Sequence, residues 1–106
     1  MRLLPALLAI MSFTSRNPSA PEVEIRTFQF APDTVKVTVG MAVTWINRDE
    51  IEHTVTTGTP DGRDGMMHVV LRAKGDSVSR TFERAGTWTY FCDRHQFMRG
   101  VITVTR

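Results

Sequence analysis

The sequence contains a single cysteine, Cys92, which excludes any intramolecular disulfide. The same shortage excludes a Cys-x-x-Cys-His haem attachment and a multi-cysteine structural zinc site. No internal repeat is present, and 7 glycines and 5 prolines are near average, so solenoid, collagen-like and low-complexity architectures fall away. No apolar run approaches the roughly 20 residues that a membrane-spanning helix needs. Charge of one sign is also missing: 13 basic residues face 11 acidic ones, and the excess lies in Arg2 and Arg16 near the N-terminus. From Pro21 onward the balance is 11 against 11, which removes the basic surface that a nucleic-acid partner would require.

What remains is 106 residues of ordinary globular composition, 42% hydrophobic and 23% charged, enough for one domain and not two. Residues 1–20 begin with Met1-Arg2, pass through the apolar stretch Leu3 to Met11, and end in polar and small residues before Ala20. This pattern reads as a short secretory signal peptide, with the mature domain at residues 21–106. Export implies an oxidising compartment, most simply a periplasm, in which an unpaired thiol needs protection. No stable membrane insertion is expected.

The mature chain has the period of β-strands. Val23 and Ile25 alternate with Glu22, Glu24 and Arg26, and Val35, Val37 and Val39 alternate with polar residues up to Gly40. Further runs at Val43 to Asn47, His53 to Thr57, Met67 to Leu71, Ser77 to Phe82, Thr87 to Phe91 and Val101 to Val104 bring the total to about eight. A turn-rich segment is expected over Gly58 to Gly65. The fold class is therefore all-β, a Greek-key sandwich of two packed antiparallel sheets. A domain of this size buries only about 60–65% of its unfolded surface, so a tightly held metal would add useful stability.

The chemistry lies in one loop. Cys92, His95 and Met98 are each three residues apart, between two β-runs. A thiolate, two imidazoles and a thioether hold copper in both oxidation states for electron transfer, so one more histidine is needed. His53, at a loop-to-strand boundary, is the candidate. His68 reads as a surface or edge histidine, with copper loading or an auxiliary site as its other use. The expected metal ligands are thus His53, Cys92, His95 and Met98, with one copper per chain cycling between Cu(I) and Cu(II).

Those residues, with Val43-Thr44-Trp45-Ile46-Asn47-Arg48 and Ala85-Gly86-Thr87, resemble the cupredoxins over about residues 22–105, and among them most the amicyanin type. The short Cys-x-x-His-x-x-Met spacing is the specific part of the resemblance. It implies a monomeric blue copper carrier, not an enzyme, that takes an electron from methylamine dehydrogenase or another dehydrogenase and passes it to a c-type cytochrome. Thr54 stands where the resemblance leads one to expect an Asn that ties the ligand loops, and Arg94 and Gln96 stand where it leads one to expect prolines. The Arg94 amide is accordingly expected to reach the Cys92 sulfur. Arg94 and Arg99 are expected to add positive charge at the mouth of the site, with Asp49, Glu50 and Glu52 in the preceding loop. Phe97 and Ile51 are expected to flank the exposed edge of His95. The alternative reading is a periplasmic copper-handling or metallochaperone protein using the same loop.

Overall fold

The structure, a computed structural model, describes residues 20–106. The proposed leader at residues 1–20 therefore lies, except for Ala20, outside the described residues. Nine strands follow in order: β1 Glu22–Arg26, β2 Gln29–Ala31, β3 Thr34–Thr38, β4 Ala42–Asn47, β5 His53–Thr59, β6 Gly62–Leu71, β7 Ser77–Thr81, β8 Gly86–Phe91 and β9 Arg99–Thr105. Among the described residues no helix is long and apolar enough to cross a membrane.

The strands form two sheets, ordered β2-β1-β4-β7 and β3-β9-β8-β5-β6. The expected all-β sandwich is present, with corrections to its details. The sheets are mixed: β1 runs parallel to β4, and β3 runs parallel to β9. Period-two patterning decides which face is buried and carries no information about strand direction. The extra strand is β2, three residues that form a tight hairpin with β1. The turn-rich Gly58 to Gly65 is largely strand, because β5 and β6 form one long hairpin with a register shift between Thr56 and Gly58. Gly58 permits that shift. Its φ is +103°, and a Cβ there would meet Gly62 O at 2.5 Å. Val39 lies beyond β3 and is exposed.

Alternation builds the core. Val23 and Ile25 of β1, Val43 and Trp45 of β4, Val35 and Val37 of β3, and Ile102 and Val104 of β9 all point inward and are buried. Each such side chain contributes about 1.5–3 kcal/mol on burial. Phe30 and Trp45 pack edgewise on Tyr90, at 4.6 and 5.3 Å between ring centroids. Tyr90 lies directly opposite Gly100, and a Cβ on Gly100 would collide with the Tyr90 ring, which explains the glycine where β9 leaves the Cys92 loop.

Strand β5 breaks the alternation. His53, Thr54, Val55, Thr56 and Thr57 are all buried, on an inner strand that lies between β8 and β6. A strand buried on both faces and made of hydroxyls and an imidazole requires partners for every polar group. Those partners build the site.

Candidate metal centre

Strand β5 opens on His53, fully buried, and β8 ends at Phe91, immediately before the fully buried Cys92. The antiparallel pairing of these strands, with Thr56 opposite Phe91, brings the two ends together at one pole of the sandwich. The loop from Cys92 to Met98 closes on itself: the Met98 amide donates to His95 O at 2.9 Å, and the Cys92 amide donates to Met98 O at 3.3 Å. Met98 is thereby drawn beside Cys92 and buried.

His53 Nδ1 lies 3.7 Å from Cys92 Sγ, and His95 Nδ1 lies 3.9 Å from the same sulfur. All three donor atoms fall within 4.8 Å of one another. Two imidazole nitrogens and a thiol converging on one point, with a buried thioether-bearing residue from the same loop, suit a copper ion of either oxidation state. His68 is not part of this group; it is exposed on edge strand β6, with Nδ1 2.8 Å from Thr56 Oγ1.

Thr54 ties the two ligand segments together. Its hydroxyl accepts the Asp93 amide at 2.7 Å, so the side chain that replaces the expected Asn makes the same kind of link. The hydroxyl also lies 3.0 Å from Thr56 Oγ1. The Thr54 amide donates to Cys92 Sγ at 3.4 Å. This corrects the expectation for Arg94: among the described residues the amide donor to the sulfur comes from β5. The antiparallel strand lies across the thiol, whereas the loop turns outward and its Arg94 side chain pairs with Glu52 at 3.1 Å.

The loop before His53 is built on Asn47, which is fully buried. Its amide nitrogen donates to Ile51 O at 2.9 Å and Leu71 O at 3.2 Å, and its oxygen accepts the Asp49 amide at 2.9 Å. The Asp49 carboxylate faces inward and lies 2.8 Å from His53 Nε2. Its pKa reflects opposing causes: burial pushes it up, and hydrogen bonds from the Phe28 amide, His53 and the Thr27 amide outweigh this and hold it below the usual carboxylate value. The remaining acids of this loop are paired, Glu52 with Arg72 and Arg94, and Glu50 with Lys74. Of the expected positive mouth, Arg94 is thus paired within the molecule, whereas Arg99 donates to the Gln96 carbonyl at 2.7 Å and keeps its charge.

At the surface, Phe97 is 70% exposed, and Phe28 and Ile51 are more than a third exposed. Phe97 lies beside His95 as expected, 6.4 Å between ring centroids. Phe28 was not expected there, and it lies edge-on to both imidazoles, 5.3 Å from His53 and 4.9 Å from His95. Asp49, taken from the sequence as a loop charge, was also missed. The available signal was an acid four residues before the candidate histidine and two after an asparagine, as in an Asx turn.

Comparison with known proteins agrees with this geometry. A family model described as copper binding proteins, plastocyanin/azurin family, matches residues 19–105. The chain is 34% identical over 82 residues to amicyanin of Paracoccus denitrificans, covering 77% of this chain and 63% of that protein. It is 37% identical over 83 residues to plastocyanin of Scenedesmus fuscus, covering 71% of this chain and 85% of that protein. Among solved structures, an oxidized amicyanin variant superposes with a TM-score of 0.69 at 35% identity, covering 80% of this chain and 81% of that one. A purple cupredoxin from Nitrosopumilus maritimus shares the fold, with a TM-score of 0.72 at 23% identity and coverage of 80% and 99%. With its sandwich, its buried thiol and two imidazoles at one pole, and these relatives, the chain belongs to the plastocyanin/azurin family of copper-binding electron-transfer proteins, the cupredoxins.

Proposed function

We propose that the protein is a type-1 copper carrier of single electrons, amicyanin-like and exported to the periplasm. His53 Nδ1, Cys92 Sγ and His95 Nδ1 would supply the strong ligands, and Met98 the weak axial one. The observation that carries this reading is the convergence of those three donor atoms within 4.8 Å around a buried, unpaired thiol. When bound, copper supplies reversible one-electron chemistry, Cu(II) to Cu(I).

The chain's own residues keep that exchange fast and selective. Cys92 and His53 are held rigidly by the strand ends, so little rearrangement accompanies the change of charge. Burial excludes solvent from the sulfur, which protects the thiol against oxidation in an oxidising compartment. His95 is half-buried, and with Phe28 and Phe97 around it forms an apolar exit for the electron. Four protein donors leave no open position for a substrate, which supports a carrier in place of an enzyme. The amicyanin relatives support a dehydrogenase as donor, methylamine dehydrogenase being one choice, and a c-type cytochrome as acceptor, each meeting the monomer transiently at this exit.

The test is titration of the exported form, residues 21–106, with Cu(II), followed by visible absorption and electron paramagnetic resonance before and after ascorbate. One equivalent of copper should produce an intense blue band that bleaches on reduction and returns on oxidation. A colourless protein with a weak tetragonal Cu(II) signal would refute the four-ligand site, and rapid surrender of copper to an acceptor protein would favour a copper-handling role.

A further inference from the structure

The turn between β1 and β2 has a residue choice that its backbone does not favour. Arg26 and Gln29 are its last paired residues, and the two between them, Thr27 and Phe28, have φ of 49° and 60°. Two left-handed central residues make a type I′ turn, a geometry favoured by Asn-Gly and resisted by a β-branched or aromatic side chain. Backbone of this kind persists only where surrounding contacts over-determine it.

The over-determining contact is Asp49. One carboxylate oxygen accepts the Thr27 amide at 2.7 Å, and the other accepts the Phe28 amide at 3.0 Å and lies 2.8 Å from His53 Nε2. Three donors from two distant segments meet on one carboxylate. An ionised carboxylate only accepts, so the contact selects a proton on His53 Nε2, the tautomer that leaves the Nδ1 lone pair for a metal beside Cys92. The turn held by the same carboxylate lays Phe28 over both imidazoles.

We propose that Asp49 is the positioning residue of the metal centre, a single carboxylate that sets the tautomer and electron donation of His53 and simultaneously fixes the Thr27-Phe28 turn against the imidazoles. The inference rests on the copper reading above. A negative charge on the far nitrogen of a ligand imidazole raises the basicity of the near one. It therefore favours Cu(II) over Cu(I) and lowers the reduction potential.

The experiment compares the unsubstituted protein with Asp49→Asn, alone and in a Thr27→Asn/Phe28→Gly background in which the turn no longer depends on the carboxylate. In the apoprotein, nitrogen-15 NMR should find His53 as the Nε2–H tautomer, and Asp49→Asn should give a mixture of tautomers. In the copper-loaded protein, Asp49→Asn should weaken Cu(II) binding relative to Cu(I) by about tenfold, which is a rise of about 59 mV in potential. The rise should persist in the turn background, where loss of the turn cannot be its cause. An unshifted potential with an unchanged tautomer in both backgrounds would overturn the role of Asp49 and leave the copper reading intact. Absence of the blue band from the unsubstituted protein would instead sink that reading, while the apoprotein tautomer would still report on Asp49.

Discussion

The loop from Cys92 to Met98 carries three of the four proposed donors within seven residues and closes through its own backbone, Met98 to His95 and Cys92 to Met98. His53 comes alone, and its position depends on side chains gathered from elsewhere: Asn47 at the end of β4, Asp49 in the loop, Phe28 in the β1–β2 turn and Thr54 beside it. One half of the centre is a local object and the other is a tertiary one. The difference teaches where damage should register. Changes in the loop should appear first in the spectrum, and loss of the Asn47 and Thr54 contacts that brace the His53 side should appear first in stability.

The largest effect should come from the loop side. Cys92→Ser removes the thiolate, and the blue absorption should vanish completely while the apoprotein remains folded; a variant that stays blue would break the ligand assignment. On the other side, Asn47→Leu should destabilise the apoprotein by about 3 kcal/mol, because it orphans the carbonyls of Ile51 and Leu71 and the amide of Asp49 around a fully buried site. Urea unfolding at unchanged m-value would read this, and a loss under about 1 kcal/mol would mean that the loop before His53 is held by something other than Asn47.

Thr54→Val probes the link between the two halves. It keeps the shape and the amide donor to sulfur but leaves the Asp93 amide without its partner, at about 1–2 kcal/mol in stability. Thr54→Ser should restore most of that loss. A potential that moves strongly in Thr54→Val with no change in stability would contradict the division drawn between the halves.

The smallest effect is a pH dependence. The Asp49 pKa is depressed in the folded state, so its contribution to stability is fully present above the unfolded value and is lost as pH falls through the lower folded one. The stability gap between the unsubstituted and Asp49→Asn apoproteins should therefore narrow as pH falls through and below the ordinary carboxylate range. A constant gap would place the origin of the Asp49 effect outside its charge.

Much of the fold was readable because it rests on a local period. Val23 and Ile25, Val35 and Val37, and Val43 and Trp45 announce strands with one dry face, and all six are buried. What escaped depends on neighbours. Gln29–Ala31 is too short to show a period and becomes a strand only by pairing with β1. Gly62 to Gly65 has turn-forming composition, yet extends β6 because β5 lies alongside it with a shifted register. The parallel directions of β1 with β4 and of β3 with β9 leave no mark in hydrophobic alternation.

The sequence by itself determined the donor chemistry, a lone thiol, an imidazole and a thioether at fixed spacing, together with a sandwich able to bury them. Side-chain identity and strand period are properties of short segments, and they survive without knowledge of what lies across the molecule. Only the tertiary structure decided that the amide facing the sulfur belongs to Thr54, that Thr54 joins the two ligand segments, and that Asp49 holds both His53 and the turn bearing Phe28. Those contacts join residues far apart in the chain, and hydrogen bonds need atoms within about 3 Å at defined angles. That condition is set by how the sheets pack.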